Sequence, residues 1–263
     1  MPQFTSYQPG TPCWVDLMSP DTDASGAFYS KLFGWDVEAL FDDQGNKIYA
    51  QFRLGGKIVA GLGGQPPGME GMPAIWNTYI AVDDCSAAAE RVAAAGGSVF
   101  MAPMQVMQAG HMAVFADTTG AAFSVWQAGD HFGSEVANDP NTWSWNELMS
   151  SDVEAAKAFY SAVFGWTYED QDMGDAGTYT VIAGGDNGGL GGIMSRMPDM
   201  PVEVPDNWSV YFTVEDAAAV AAMVGELGGH AAVPPFPIPG VGTCAVLADP
   251  HGGIFSVLEP AAQ

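Results

Sequence analysis

The sequence predicts an α+β protein made of four βαβββ modules, which form two domains with curved, largely antiparallel sheets. The main observation is the duplication of a unit of about 130 residues. Trp14–Ser19 is repeated as Trp145–Ser150, and Phe33–Trp35 as Phe164–Trp166, both at an offset of 131 residues. Within each copy, the order of one strand, one helix and three strands occurs twice. Parallel neighbours need a crossover connection, so three strands without a helix between them favour antiparallel pairing.

Local signals define the elements of the first module. A strand at Cys13–Met18 leads through Ser19–Asp21 into a helix over about Thr22–Leu32. Apolar residues recur on one face of this helix at four-residue spacing, and Gly34 follows its end as a C-cap. Three strands are then predicted at Asp36–Phe41, Lys47–Leu54 and Lys57–Leu62.

The second module repeats this order. A strand at Thr78–Val82 precedes an alanine-rich helix over Ser86–Ala95, which Gly96 and Gly97 close. Three more strands are predicted at Ser98–Met101, His111–Ala116 and Ala122–Trp126. In the second copy, the helices are predicted near Asp152–Phe164 and Ala217–Leu227.

These patterns set the expected domain boundaries. The first domain covers residues 1–128, with modules at about 11–72 and 73–128. The second covers residues 142–263, with modules at about 142–203 and 204–263. Residues 129–141 are polar, contain Gly, Asn, Asp and Pro, and are expected to form a linker.

Composition and charge exclude several classes of protein. With 48% hydrophobic residues in 263, the chain is able to bury a large core. Its 31 acidic and 7 basic residues give a net charge of −24, which disfavours binding to nucleic acid. We expect no membrane association, because the N-terminus lacks a signal-peptide pattern and no apolar run approaches the ~20 residues of a membrane span. Three cysteines without a CxxC pair argue against a disulfide framework and favour the cytoplasm.

Several short motifs together resemble a known family. They are Phe28-Tyr29 followed by Phe33–Trp35, Val82–Asp84 before an alanine-rich helix, and the turn Asp249–Gly253 before the last strand. In this order and spacing, they resemble the vicinal-oxygen-chelate superfamily, which includes glyoxalase I, bleomycin-resistance proteins and extradiol dioxygenases. The resemblance covers nearly the whole chain and is closest to the tandem, two-domain members. It implies that strands of each domain line a half-closed cup.

The resemblance also implies where metal ligands would lie, and this sequence departs from that pattern. The positions of the family's His and Glu ligands hold Trp14, Asn77 and Ser124 in the first copy, and Trp145, Ser209 and Ser256 in the second. The stretches Ile58–Gly61 and Gly188–Ile193, where some members place a further Glu, have no carboxylate. Indole and hydroxyl groups are poor ligands for divalent transition metals. We therefore expect no metal and no other cofactor.

Strand alternation suggests what faces each cup instead. Trp14 and Asp16 share one face of their strand, as Trp145 and Glu147 do in the second copy. The same argument gives Asn77, Tyr79, Ser124, Trp126, Ser209, Tyr211 and Ser256 as candidates for ligand contact. The resemblance adds His111, which opens a strand where related proteins often carry a polar or basic residue that points to the cup. Each carboxylate either contacts a ligand or acts as a base, or it has a structural role in pinning the strands. His131 is expected on the surface or in the linker.

Three functions remain open from the sequence. The first is a metal-independent binding protein that sequesters or carries a small apolar or aromatic metabolite or antibiotic. The second is a metal-free isomerase, lyase or cyclase with Asp16 or Glu147 as its catalytic general base. The third is glyoxalase-like detoxification of 2-oxoaldehydes. Whether the protein is an enzyme, whether it is a monomer or a homodimer, and which modules share a cup are also open.

Overall fold

The computed structural model describes residues 3–174, 177–185, 188–197, 200 and 204–261. Over these ranges, sixteen strands and four α-helices form two eight-stranded sheets. None of the described helices is long and apolar enough to cross a membrane. The predicted α+β class and the repeat of the domain are thus confirmed.

The elements of the first copy follow the predicted order. They are β1 (Pro12–Ser19), α1 (Thr22–Phe33), β2 (Asp36–Phe41), β3 (Lys47–Leu54), β4 (Lys57–Gly64), β5 (Ile75–Ala81), α2 (Cys85–Ala94), β6 (Ser98–Val106), β7 (Gly110–Ala116) and β8 (Ala122–Ala128). The largest difference is β6, which continues five residues beyond the predicted end at Met101. Its pairing with β7 contains two register shifts, which accommodate residues that the sequence pattern did not mark as strand.

The second copy has the same succession. Its elements are β9 (Thr142–Ser150), α3 (Val153–Phe164), β10 (Tyr168–Asp172), β11 (Thr178–Ile182), β12 (Gly191–Ser195), β13 (Asn207–Thr213), α4 (Ala217–Glu226), β14 (His230–Ile238), β15 (Gly242–Ala248) and β16 (Ile254–Pro260).

Each sheet combines the two modules of one copy. The strand orders are β2-β3-β4-β1-β5-β8-β7-β6 and β10-β11-β12-β9-β13-β16-β15-β14. Five of the seven pairings in the first sheet are antiparallel, while β1–β4 and β5–β8 are parallel. The antiparallel contact between β1 and β5 joins the modules, as β9 and β13 do in the second sheet. Each cup is therefore formed within one copy, which the sequence had left open.

Each of the four helices begins after an aspartate. The side chains of these residues accept hydrogen bonds from backbone N–H groups of the first turn, a contact worth ~1 kcal/mol per helix. The four caps are Asp21, Asp84, Asp152 and Asp216. Gly34 and Gly165 end α1 and α3 with positive φ angles of 71° and 74°, as expected for a C-cap.

Each helix packs its buried side chains into a core that lies between the two sheets. Phe33 of α1 packs against Phe212 of the second sheet with ring centroids 5.1 Å apart. Tyr160 of α3 packs in the same way against Phe123 of the first sheet, at 5.4 Å. Helix α1 therefore belongs to a core that both copies share, and so does α3.

A buried chain of hydrogen bonds fixes this arrangement. Trp76 Nε1 donates to the Tyr29 hydroxyl at 2.9 Å, and the hydroxyl donates to Asp249 Oδ2 of the other copy at 2.9 Å. The equivalent chain in the opposite direction consists of Trp208, Tyr160 and Asp117. The Phe-Tyr motif and the aspartate turn that suggested the family thus meet at the contact between the copies.

Candidate functional site

The face of each sheet that lies away from the helices carries most of the candidate residues. In β1, Val15 and Leu17 enter the core shared with α1, whereas Trp14 packs on the other side with Tyr79 and Trp126. We call the helix-free face around Trp14, Asp16, Tyr49, Asn77, Tyr79, Ser124 and Trp126 the first cup. The second cup is the corresponding face around Trp145, Glu147, Tyr179, Ser209, Tyr211 and Ser256.

Asp16 is held by three neutral donors. The hydroxyls of Tyr49 and Tyr79 donate to its Oδ2 at 2.8 and 3.1 Å, and Asn77 Nδ2 donates to its Oδ1 at 2.9 Å. Burial raises the pKa of Asp16, and these three hydrogen bonds partly oppose the rise. Because both carboxylate oxygens are engaged and only 7% of the residue is exposed, Asp16 ties β1 to β3 and β5. This geometry favours the structural role for Asp16.

Tyr49 is a member of the cup that sequence reasoning missed. Besides donating to Asp16, its hydroxyl accepts a hydrogen bond from Trp14 Nε1 at 3.4 Å. Space for the hydroxyl depends on Gly61, where an added Cβ would lie 1.9 Å from the Tyr49 oxygen. Gly61 and its counterpart Gly192 lie 131 residues apart, the offset of the repeat. This repeated glycine is the feature of the sequence that indicates space for a tyrosine hydroxyl at the same place in both copies.

The second cup has the same plan around Glu147. The Tyr211 hydroxyl donates to Glu147 Oε1 at 2.7 Å, and Trp145 Nε1 donates to the Tyr179 hydroxyl at 2.9 Å. A Cβ at Gly192 would lie 1.9 Å from the Tyr179 oxygen, as at Gly61 in the first copy. Burial raises the pKa of Glu147, while hydrogen bonds from Tyr211 and Tyr179 lower it.

The other polar candidates of the second cup differ from those of the first. Ser209 stands where the first copy has Asn77, and both pair with the acidic residue of the neighbouring strand. The Ser209 hydroxyl donates to Asn207 Oδ1 at 3.3 Å rather than to Glu147. Ser256 is buried beside Tyr211, in the same register as Ser124 beside Tyr79. Glu147 therefore lacks the amide donor that holds Asp16.

His131 lies in the segment expected as a linker, but it is partly buried there and contacts the first cup. Its ring packs edge-on against Trp14, with centroids 4.6 Å apart, and lies 5.7 Å from the ring of Trp126. Burial lowers the pKa of His131 to about 4. The segment expected as a linker thus packs against the first cup, a contact that no local pattern signals.

His111, which we expected to contact a ligand, does not belong to the first cup. In β7, Ala113 and Phe115 enter the core beneath the helices, while Met112 packs with the cup residues. Alternation therefore places His111 on the helix side, opposite Gln127, whose side chain accepts from the backbone of Cys85 in α2. The prediction failed because it placed His111 on the wrong face of a correctly predicted strand.

The donors at the family's metal positions do not fit a divalent transition metal. In the first cup these positions hold an indole, an amide and a hydroxyl, and the Tyr49 hydroxyl fills the space where a side chain at Gly61 would start. The nearest carboxylate, Asp16, already accepts three hydrogen bonds. Among the described residues, no group of three or more His, Cys, Asp or Glu side chains is placed to hold a metal ion.

Family models match both copies. Residues 13–125 match the Glyoxalase/Bleomycin resistance protein/Dioxygenase superfamily, and residues 147–258 match a glyoxalase-like domain. The two matches cover the corresponding parts of the first and second sheets.

Relatives of similar length resemble the whole chain. A Mycobacterium tuberculosis protein named "Putative glyoxylase CFP32" is 44% identical over 264 residues, covering 100% of both chains. The anthracycline biosynthesis protein DnrV of Streptomyces peucetius is 39% identical over 278 residues, covering 97% of this chain and 95% of its own.

Solved structures share the fold at low sequence identity. The Mn(II)-bound glyoxalase of Novosphingobium aromaticivorans has a TM-score of 0.64 and 19% identity, over 95% of this chain and 82% of that one. The 2,2',3-trihydroxybiphenyl 1,2-dioxygenase of Sphingomonas wittichii has a TM-score of 0.65 and 14% identity, over 95% and 90% of the two chains.

Proposed function

The chain belongs to the glyoxalase/bleomycin resistance protein/dioxygenase superfamily, and we propose that it binds a small apolar or aromatic molecule in an aromatic-lined cup without a metal ion. It would sequester or carry a metabolite or antibiotic in the cytoplasm. The observation that carries the proposal is the Trp–Tyr–carboxyl cluster, which takes the place of the metal ligands in both copies.

Metal independence is supported by how these residues occupy the cup. Tyr49 and Tyr179 fill the space beside Gly61 and Gly192, and their hydroxyls form hydrogen bonds with the neighbouring indole and carboxyl groups. Hydroxyl, indole and amide groups bind divalent transition metals weakly compared with imidazole, thiolate or carboxylate. Purified protein is expected to contain far less than one equivalent of such a metal per chain by elemental analysis.

The chemistry of the cup supports an aromatic ligand. Indole and phenol rings offer flat apolar surfaces with a few polar groups at their edges, which suits an amphipathic molecule. The named residues of the two cups include no lysine or arginine, so an anionic ligand would meet carboxyl groups without compensation. The name of the Streptomyces relative agrees with this chemistry, because anthracyclines are flat aromatic molecules with hydroxyl groups.

The second candidate function is metal-free catalysis by Glu147. This carboxyl is only half-buried, its pKa is raised by burial, and its Oε1 accepts from Tyr211. Such a group suits proton transfer near neutral pH in an isomerase, lyase or cyclase. Asp16 is less suited, because three donors already occupy both its oxygens. Glyoxalase-like detoxification of 2-oxoaldehydes, which the mycobacterial relative's name suggests, is a further alternative.

Native mass spectrometry of the purified protein tests these functions together. A co-purified aromatic molecule, recovered unchanged after long incubation, is the result expected for a binding protein. Conversion of the molecule, with turnover reduced by ~10²-fold in Glu147→Gln, would favour the catalytic alternative. About one equivalent of nickel, zinc, iron or manganese per copy would contradict metal independence.

A further inference from the structure

The two cups differ in how accessible they are, although they descend from one duplicated unit. We infer that the second cup alone takes the ligand, that this ligand is a flat aromatic molecule with a hydroxyl or amino donor, and that the first cup is closed by residues 129–134. The inference rests on the proposed function and deepens it.

The closing segment is anchored to the strands of the first sheet. Gly129 N donates to Ala109 O at 2.8 Å, and Ser134 N donates to Cys13 O at 2.9 Å. Ser134 Oγ also donates to Val59 O at 3.0 Å, so the segment is bound to both β1 and β4. Gly133 has a φ of +124°, and a Cβ there would lie 2.3 Å from Cys13 O. Only glycine allows the backbone to approach β1 this closely.

Between these anchors, His131 covers the aromatic surface of the first cup. Its ring lies against Trp14 and Trp126, and its backbone oxygen accepts from Trp126 Nε1 at 2.8 Å. Trp14 is left 3% exposed and Trp126 6% exposed. A flat ligand would have to displace the His131 ring before it could stack on either indole.

Three residues of the second cup are more exposed than their counterparts in the first cup. Trp145, Glu147 and Tyr211 are half-buried, whereas their counterparts Trp14, Asp16 and Tyr79 in the first cup are buried. Tyr179 and its counterpart Tyr49 are both half-buried and do not distinguish the cups. Among the described residues, no aromatic ring stacks on Trp145. Trp145 is therefore more exposed than Trp14, which the His131 ring covers.

The acidic residues give an independent reason to distinguish the cups. Asp16 accepts three hydrogen bonds and has little capacity left for a ligand. Glu147 has no amide partner, because Ser209 replaces Asn77, and its nearest partners are the hydroxyls of Tyr211 and Tyr179. Glu147 thus accepts one hydrogen bond fewer than Asp16, and its remaining acceptor capacity beside the half-buried Trp145 fits a ligand that donates a hydrogen bond from the edge of an aromatic ring.

Matched substitutions with a defined probe test the inference. The probe is quinizarin, a flat neutral anthraquinone with two hydroxyl groups, and a sulfonated anthraquinone without hydroxyl groups is the anionic comparison. We expect quinizarin to bind at one equivalent per chain by calorimetry and fluorescence titration, and the sulfonate to bind more weakly. Trp145→Ala should weaken quinizarin binding about tenfold or more, and Trp14→Ala should change it less than about twofold.

The pair Glu147→Gln and Asp16→Asn provides the same comparison if an alanine variant fails to fold, as judged by circular dichroism. Glu147→Gln should weaken binding about threefold or more, because a charged acceptor is lost, and Asp16→Asn should leave it unchanged. Two equivalents per chain, or equal losses in the two copies, would overturn the assignment to the second cup while leaving the proposed function intact. No binding of quinizarin to the unmodified protein would overturn the ligand class inferred here, whereas the proposed function is tested separately by the co-purified molecule in native mass spectrometry.

Discussion

Tyr29 provides the sharpest test of how the two copies are held together. Its buried hydroxyl accepts from Trp76 Nε1 and donates to Asp249 Oδ2, both at 2.9 Å. Tyr29→Phe keeps the ring and its packing but leaves a buried indole N–H and a carboxylate oxygen without this partner. One neutral hydrogen bond and one to a charged group are lost, so the free energy of unfolding should fall by about 2–4 kcal/mol.

Urea denaturation followed by circular dichroism measures this change. Tyr168→Phe is the matched control, because its half-buried hydroxyl donates to a backbone oxygen, Lys157 O at 3.0 Å, and bonds no carboxylate, so its loss should cost only about 1 kcal/mol. The Asp249 turn should persist in the variant, since Oδ1 still accepts from His251 N and Gly253 N. A loss in Tyr29→Phe no larger than in the control would refute the idea that this chain of hydrogen bonds stabilises the contact between the copies.

Three further predictions concern the cups and a helix. Burial raises the pKa of Asp16, so its contribution to stability is present below the unfolded pKa of about 4 and is lost as the pH rises through the folded pKa. The free energy of unfolding of Asp16→Asn, measured by urea titration relative to the unmodified protein, should therefore be more favourable at pH 8 than at pH 4. The pKa of His131 is lowered to about 4, so the chain should lose stability as the pH falls from about 6.5 towards 4, and His131→Ala should remove that part of the loss in the same assay. Gly192→Ala should displace the Tyr179 hydroxyl and lower the melting temperature. Gly225→Ala, in open space within α4, should instead raise the free energy of unfolding by about 0.5–1 kcal/mol. Equal effects of the two changes would contradict the close approach at Gly192.

The elements of the fold and the faces of the central strands could be read from the sequence. Helix positions follow from aspartate caps and apolar spacing, which are local properties of the chain. Alternation along β1 placed Trp14 and Asp16 together, because successive side chains of a strand point to opposite faces. The prediction for His111 was wrong because it rested on resemblance to the family, whereas alternation with Ala113 and Phe115 puts this residue on the helix side.

The partners of those residues were decided only by the tertiary structure. Tyr49 reaches Asp16 across 33 positions of the chain, and Tyr29 reaches Asp249 across 220. No periodic pattern encodes such contacts, because they depend on which strands pair and on how the two sheets enclose the helices. The contact of His131 with the first cup has the same origin. The polar segment around it has the sequence pattern of a linker, and its hydrogen bonds to β1 and β4 depend on how those strands pack. The sequence thus determined the repeated module and its local faces, whereas long-range packing decided the partners of the cup residues and left Trp145 more exposed than Trp14.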